Sequence, residues 1–256
     1  MDKWDCRKLR LDDKAVFITG AGGLGSAIAR GVSEAGAQVL LADLDLAAAE
    51  KVARTIQKKK RSCRACKMDI SNPTQITRAI RFCTQSFGGM DVAINCTGIN
   101  IRKPSLDMTG EDWDRVLGVN LKGSFLFAQG AARAFIRQKR RGKIIALASI
   151  LSFFGMEDRA AYVASKTGLV GLTRALAVEW APYHINVNAV APTFIPTPIN
   201  RESLAGGFKQ RLIDRTPFRR LGKAQDVVGA VVFLASDASD FITGHTIPVD
   251  GGWLSG

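Results

Sequence analysis

Ala15-Val16-Phe17-Ile18-Thr19-Gly20-Ala21-Gly22-Gly23-Leu24-Gly25 decides the fold: four apolar residues with strand character run into a glycine cluster, and a helical pattern starts at about Leu24. Glycines let the chain turn tightly and leave the backbone open to close approach. The helix that follows offers free N–H groups and the positive end of its dipole, which suits a pyrophosphate. Gly20-x-Gly22-x-x-Gly25 therefore reads as a dinucleotide-binding turn, in the context that gives such a motif its meaning: a strand before it, a helix after it and an acid beyond. That acid is Asp43, which ends Val39-Leu40-Leu41-Ala42 roughly twenty residues past the glycines. Its carboxylate suits ribose hydroxyls and repels a 2′-phosphate, so NAD is favoured over NADP. A carboxylate here also suits a helix start, but Asp45, ahead of Ala47-Ala48-Ala49, fits that part better.

Outward from this stretch, apolar runs alternate with helical patterns. Residues 15–18, 38–42, 91–94, 144–148, 185–190 and 246–249 read as strands, with 63–68 weaker. Residues 24–35, 46–57, 73–86, 111–138 (broken near Gly123), 160–181 and 224–235 read as helices. The alternation predicts a single α/β domain, a doubly wound parallel sheet of Rossmann type with helices on both faces. Residues 1–13 read as a polar lead-in and 14–256 as the domain. Ile195 to Gly207 reads as irregular, part of a substrate flap at about 193–215.

The 256 residues, 46% hydrophobic with a mean hydropathy of +0.05, suffice for one large core. No apolar run reaches the length of a membrane span and Met1-Asp2-Lys3-Trp4-Asp5 is too charged to open a secretion signal, so a cytoplasmic protein is expected. Five cysteines argue against a disulfide framework; Cys63 and Cys66 have metal-pair spacing, but no second pair follows and they read as ordinary thiols. His184 and His245 have no partner set for a metal and read as structural. The net charge of +13 favours anionic partners. Much of it lies in Lys58-Lys59-Lys60-Arg61 with Arg64 and in Arg137 to Lys143, where helices end and cations complement the dipole. Neither run interleaves aromatic residues, so no nucleic-acid surface is expected.

Chemistry concentrates in Ser149, Tyr162 and Lys166. Tyr162 and Lys166 stand at i and i+4 on one helix, so both can meet one ligand. A phenol with an ordinary pKa of about 10 works poorly near neutrality, and a neighbouring ammonium would lower it. Taken alone, the pair equally fits an amphipathic surface helix.

The order of further motifs supplies the rest: Thr19-Gly20-Ala21-Gly22-Gly23-Leu24-Gly25, Asp69, Asn95 with Gly98, Asn120, Ser149 thirteen positions before Tyr162, Lys166, Pro192 and Asp250-Gly251-Gly252. From Lys14 to Gly252 the chain resembles the short-chain dehydrogenase/reductase family. The resemblance implies that Tyr162 exchanges a proton with the substrate oxygen and that Ser149 hydrogen-bonds that oxygen. It also implies that Lys166 binds the nicotinamide ribose and lowers the tyrosine pKa, and that Asn120 holds a relay water; an amide that kinks a helix and bonds to backbone remains open for Asn120 as a simultaneous role. It implies cofactor contacts from Gly20, Gly22, Gly23, Leu24, Gly25, Asp43, Asp69, Ile70, Asn95, Tyr162, Lys166, Pro192, Ile195 and Thr197, and a homotetramer built in part on 111–138 and 160–181. Two departures stand out: the glycine loop is one residue short, and Thr193 replaces the usual glycine, which suits extended backbone and predicts a local difference. Gly98 to Pro104, Met108 to Trp113 and Val249 to Leu254 look like members acting on sugar acids, such as gluconate 5-dehydrogenases and 2-deoxygluconate 3-dehydrogenases, so the expected substrate is a polyol, sugar or aldonate; Arg102 or Lys103 could reach a carboxylate, and the two fit a solvated loop pair at least as well. A 3-oxoacyl-carrier-protein reductase and a nucleotide-binding protein without turnover are the alternatives.

Overall fold

A computed structural model describes residues 5–197 and 206–256. Seven parallel strands, β1 (Ala15–Thr19), β2 (Gln38–Asp43), β3 (Cys63–Lys67), β4 (Val92–Asn95), β5 (Gly142–Leu147), β6 (Ile185–Pro192) and β7 (Thr246–Val249), lie in the order β3-β2-β1-β4-β5-β6-β7. The order reverses between β1 and β4, where Thr19 pairs with Ala42 on one side and Asn95 on the other. A doubly wound sheet binds its ligands beyond such a reversal, at the carboxyl ends of its strands.

Both sheet faces are covered, which is why the strands are apolar throughout. Val16, Ile18, Val39 and Leu41 face α1 (Gly23–Glu34), α2 (Leu46–Gln57) and α8 (Ala224–Ala235) through Ile28, Val32, Val52, Val227 and Val231. Phe17, Leu40 and Ala93 point the other way, onto α3 (Pro73–Phe87), α5 (Gly123–Gln138) and α6 (Ala160–Trp180). Phe17 meets Phe127 edge-on at 5.1 Å. Cys63 and Cys66, three apart on β3, join opposite sides of the sheet and cannot share a metal. Leu11, in the lead-in, is wholly buried in the first of these clusters.

The sheet and helices predicted from the sequence are present. The helix over 111–138 does break, as α4 (Gly110–Leu117), a π-helical turn (Gly118–Lys122) and α5. Strand β5 starts at Gly142, two residues early, because Gly142 pairs with Ile185 and Lys143 is held by Asp240 at 2.8 Å. Within the flap, Gly206–Arg215 form a helix, α7, which takes in the last two residues of the stretch expected to be irregular and is tied down by Leu212 and Phe208 on an aromatic cluster with Phe154, Phe194 and Trp253. The remainder of that flap, 198–205, lies outside the described residues.

Candidate active site

The glycine turn is built as its composition demands. Gly20 takes φ +85°, and a Cβ on Gly25 would lie 1.8 Å from the Gly20 carbonyl oxygen. Gly22 caps α1 without any side-chain bond and has open space above it, while Leu24 packs back onto the core. Thr197 sits over Gly23, where a Cβ would come within 2.6 Å of its Cγ2. Asp45 accepts from Ala48 N at 3.2 Å and caps α2. Asp43 accepts from Ala21 N at 2.5 Å and from Asp45 N at 2.9 Å. The shortened loop thus places its own backbone against the carboxylate.

Asp69, just past β3, forms a local turn, accepting from Ser71 N and Oγ at 2.8 and 2.7 Å, and Ile70 is buried against Gly123. Asn95 joins the two halves of the site. Its Oδ1 accepts from Thr19 Oγ1 (2.6 Å) and Thr97 N (2.9 Å), and its Nδ2 donates to Ser124 Oγ (2.7 Å), which donates to the Asn120 carbonyl (2.5 Å). Thr19 and Thr97, which stand in the glycine-turn and Asn95 motifs, complete this network with Ser124, which no motif marks. The available signal was Ser124 standing four residues after Asn120 on one helical face.

Asn120 is fully buried in the π-helical turn. It accepts from Ile99 N (2.8 Å) and donates to Ile99 O (2.9 Å) and Ser165 Oγ (3.0 Å), clamping the loop after β4 onto α6. The amide that bonds to backbone, one of the two roles open from the sequence, is present. Gly98 brings the groups together, since a Cβ there would stand 3.4 Å from both Asn120 Oδ1 and Lys166 Nζ.

Ser149, Tyr162 and Lys166 converge at the carboxyl end of β5. Ser149 starts a short 3-10 turn, accepting from Leu151 N at 3.1 Å, and its hydroxyl favours the ionised form of the Tyr162 phenol. Lys166 Nζ donates to Leu147 O at 2.5 Å and lies 5.8 Å from the Tyr162 ring centre. Burial lowers the Lys166 pKa to about 8, partly opposed by Cys96. One expectation is corrected: the phenol is not lowered by Lys166. Burial pushes it above the ordinary tyrosine value, while the Ser149 hydrogen bond and then the Arg159 guanidinium pull it down. Desolvation of a buried phenolate outweighs what its neighbours return, and the Lys166 amine is committed to the Leu147 carbonyl.

Pro192 closes β6 opposite Val249, and Thr193 N donates to Val249 O at 3.1 Å. Thr193 is absent from the positive-φ residues, so this turn continues extended, in keeping with the β-branched side chain. Ile195 is buried beneath it. Lys103 is taken up by Asp112 at 2.5 Å, which leaves Arg102 as the exposed cation of that loop. Among the described residues no group of His, Cys, Asp and Glu could hold a metal ion, and no helix is long and apolar enough to cross a membrane.

A nucleotide-binding turn facing a Ser-Tyr-Lys cluster across the reversal of a parallel sheet defines an oxidoreductase of the dinucleotide-binding type. A family model described as "Enoyl-(Acyl carrier protein) reductase" matches residues 19–254. The chain belongs to the short-chain dehydrogenase/reductase family. It is 37% identical to the 2-dehydro-3-deoxy-D-gluconate 5-dehydrogenase of Dickeya dadantii, over 96% of this chain and 97% of that protein. It is 35% identical to an NAD-dependent glycerol dehydrogenase of Listeria innocua, covering 96% of each. A solved gluconate 5-dehydrogenase from Burkholderia cenocepacia, in complex with NADP and tartrate, superposes with a TM-score of 0.93 at 35% identity over 98% of both chains.

Proposed function

We propose that the protein interconverts a secondary alcohol and a ketone on a polyol, sugar or sugar acid, using NAD in preference to NADP. The observation that carries this is the convergence of Ser149, Tyr162 and Lys166 beside Gly98, across from the glycine turn. The residues fit a dinucleotide: an uncapped helix start over Gly22 and a turn that a Cβ on Gly25 would fill leave backbone N–H groups for a pyrophosphate. Gly20, Gly22, Gly23, Leu24 and Gly25 would hold the phosphates, Asp43 the adenosine ribose, Asp69 and Ile70 the adenine, and Asn95, Pro192, Ile195 and Thr197, with Tyr162 and Lys166, the nicotinamide half. When bound, the nicotinamide gives or takes the hydride. Tyr162 holds or releases the proton at the substrate oxygen, Ser149 donates a hydrogen bond to that oxygen, and Lys166 orients the ribose. Asn120 holds the Gly98–Ile99 wall in place, and a relay water would sit beside it.

The similarity to sugar-acid and polyol dehydrogenases supports the substrate class. Reduction of a 3-oxoacyl thioester is the second reading, favoured by the 34% identity to a 3-oxoacyl-[acyl-carrier-protein] reductase of Thermotoga maritima and by the charge of +13, which would attract an acidic carrier. The resemblance further supports a homotetramer: a groove of about 660 Å³ lined by Leu117, Leu121, Phe125, Leu172 and Ala175 between α4, α5 and α6 is apolar enough to seat a second copy. Tyr162→Phe tests the reading. It is expected to lower turnover of aldonates and polyols by about 10²–10⁴ while NADH titration by nicotinamide fluorescence changes less than about threefold. Near wild-type turnover would overturn the assignment.

A further inference from the structure

Arg159 is the candidate cation that the mechanism does not use. It stands at the start of α6 with φ −139° and ψ 27°, its carbonyl accepting from Val163 N at 2.8 Å, so it precedes Tyr162 by three residues and shares its side of the helix. It is only 7% exposed, yet among the described residues it forms no ion pair. Among the described residues its guanidinium has one acceptor, the Glu157 carbonyl, at 3.0 Å from Nη1. A buried guanidinium carries five donors and is costly without a counter-charge, so such groups are paired in folded proteins. The remaining nitrogens are not sealed away, since Ser33 Oγ and Trp253 Nε1 are the fully buried side-chain polar atoms left without a partner among the described residues. Those donors are therefore open to a ligand.

The surroundings point the same way. Lys103 N donates to Asp158 O at 3.1 Å, which ties the loop carrying Arg102 to the turn carrying Arg159. Burial, and after it repulsion from Arg102, lower the Arg159 pKa against the pull of Asp158 and Tyr162. Arg159, buried beside the Tyr162 phenol with Arg102 near it, feels the charge of Asp158 but forms no ion pair with it among the described residues. Guanidinium binds carboxylates through paired parallel hydrogen bonds.

We infer that Arg159 is the specificity-determining residue that receives the carboxylate of an acidic substrate, with Arg102 as the outer cation of the same subsite. This rests on the dehydrogenase reading above and narrows it to acids within the sugar and polyol class. D-Gluconate and D-glucitol form a matched pair, differing in a carboxylate against a hydroxymethyl group. Binding of each to the NADH-loaded protein would be measured by calorimetry, and turnover of each with NAD, for wild type, Arg159→Gln and Arg159→Lys. The expected result is that wild type favours gluconate, that Arg159→Gln lowers the gluconate-to-glucitol ratio at least tenfold in binding and in kcat/KM, and that Arg159→Lys recovers part of it. NADH titration and the melting temperature of each variant report whether the fold survives. An unchanged ratio, equal losses on both compounds, or a wild type that binds glucitol as well as gluconate would overturn the inference. Selective gluconate binding without any hydride transfer would leave Arg159 in place and sink the dehydrogenase reading instead.

Discussion

The Tyr162 phenol is pushed up by burial and drawn back by Ser149 and Arg159, and this balance sets how the site responds to pH. Alcohol oxidation needs the phenolate as base. With the pKa above the ordinary tyrosine value, the oxidation rate should rise with pH through the alkaline range, and ketone reduction should fall there. Ser149→Ala removes the hydrogen bond that favours the phenolate. It is expected to move the rising limb of kcat to higher pH and to cost about 10²–10³ in rate; a limb that stays in place would show that Ser149 does not bond the phenol. The cysteines give a second residue-level expectation. Burial raises Cys63, Cys83 and Cys96 to about 12 and Cys66 to about 11, leaving almost no thiolate near neutrality. Cys6 is exposed, so iodoacetamide at pH 8 should label one thiol quickly, and Cys6→Ser should abolish that fast phase. Rapid labelling of a second cysteine in the folded protein would contradict the burial. Tyr162 and Lys166 were legible in the sequence because a helix places i and i+4 together, and Ser149 from its place thirteen positions before Tyr162. What burial does to a phenol was not, because desolvation depends on side chains far away in sequence.

The elements show where pattern reading stops. The strand–glycine–helix unit follows from local rules, whereas α7 opens on Gly206-Gly207, carries Lys209, Gln210 and Arg211, and has a single fully buried residue, Leu212. Its stability comes from contact with Trp253 and Phe154, and no local pattern encodes that packing. Arg215 covers this cluster, 4.6 Å from the Trp253 ring centre. The glycine loop mixes both cases: its shortening is visible in the sequence, but the consequence, Ala21 N bonding to Asp43, appears only once β1 and β2 are paired. The carboxylate therefore has two tasks. Asp43→Ala should lose both, with NADH-over-NADPH discrimination falling at least tenfold in fluorescence titrations and stability dropping by about 1–3 kcal/mol as two amides lose their acceptor. Destabilisation without a change in discrimination would assign Asp43 to the loop alone.

At the scale of the whole molecule, charge and apolar surface are segregated. Lys14, Arg140, Arg141 and Lys143 meet Asp237, Asp91 and Asp240 at the amino ends of the strands, so much of the second basic run is neutralised at the end of the sheet opposite the Ser-Tyr-Lys cluster. The apolar groove lies instead along α4, α5 and α6, the helices that carry Asn120, Tyr162 and Lys166 or flank them. Subunit packing on that groove would brace the π-helical turn and hence the Ile99 wall held by Asn120. If four copies assemble there, light scattering should report a mass of four 27.6 kDa chains. Leu121→Asp places a charge in the groove, where a Cβ on Gly168 would touch the present Leu121 side chain. It should yield smaller species and lower turnover, because the turn carrying Asn120 loses its outer support while the nucleotide turn, on the other side of the sheet reversal, does not. A Leu121→Asp protein that still runs as a tetramer would mean that the copies meet on another face.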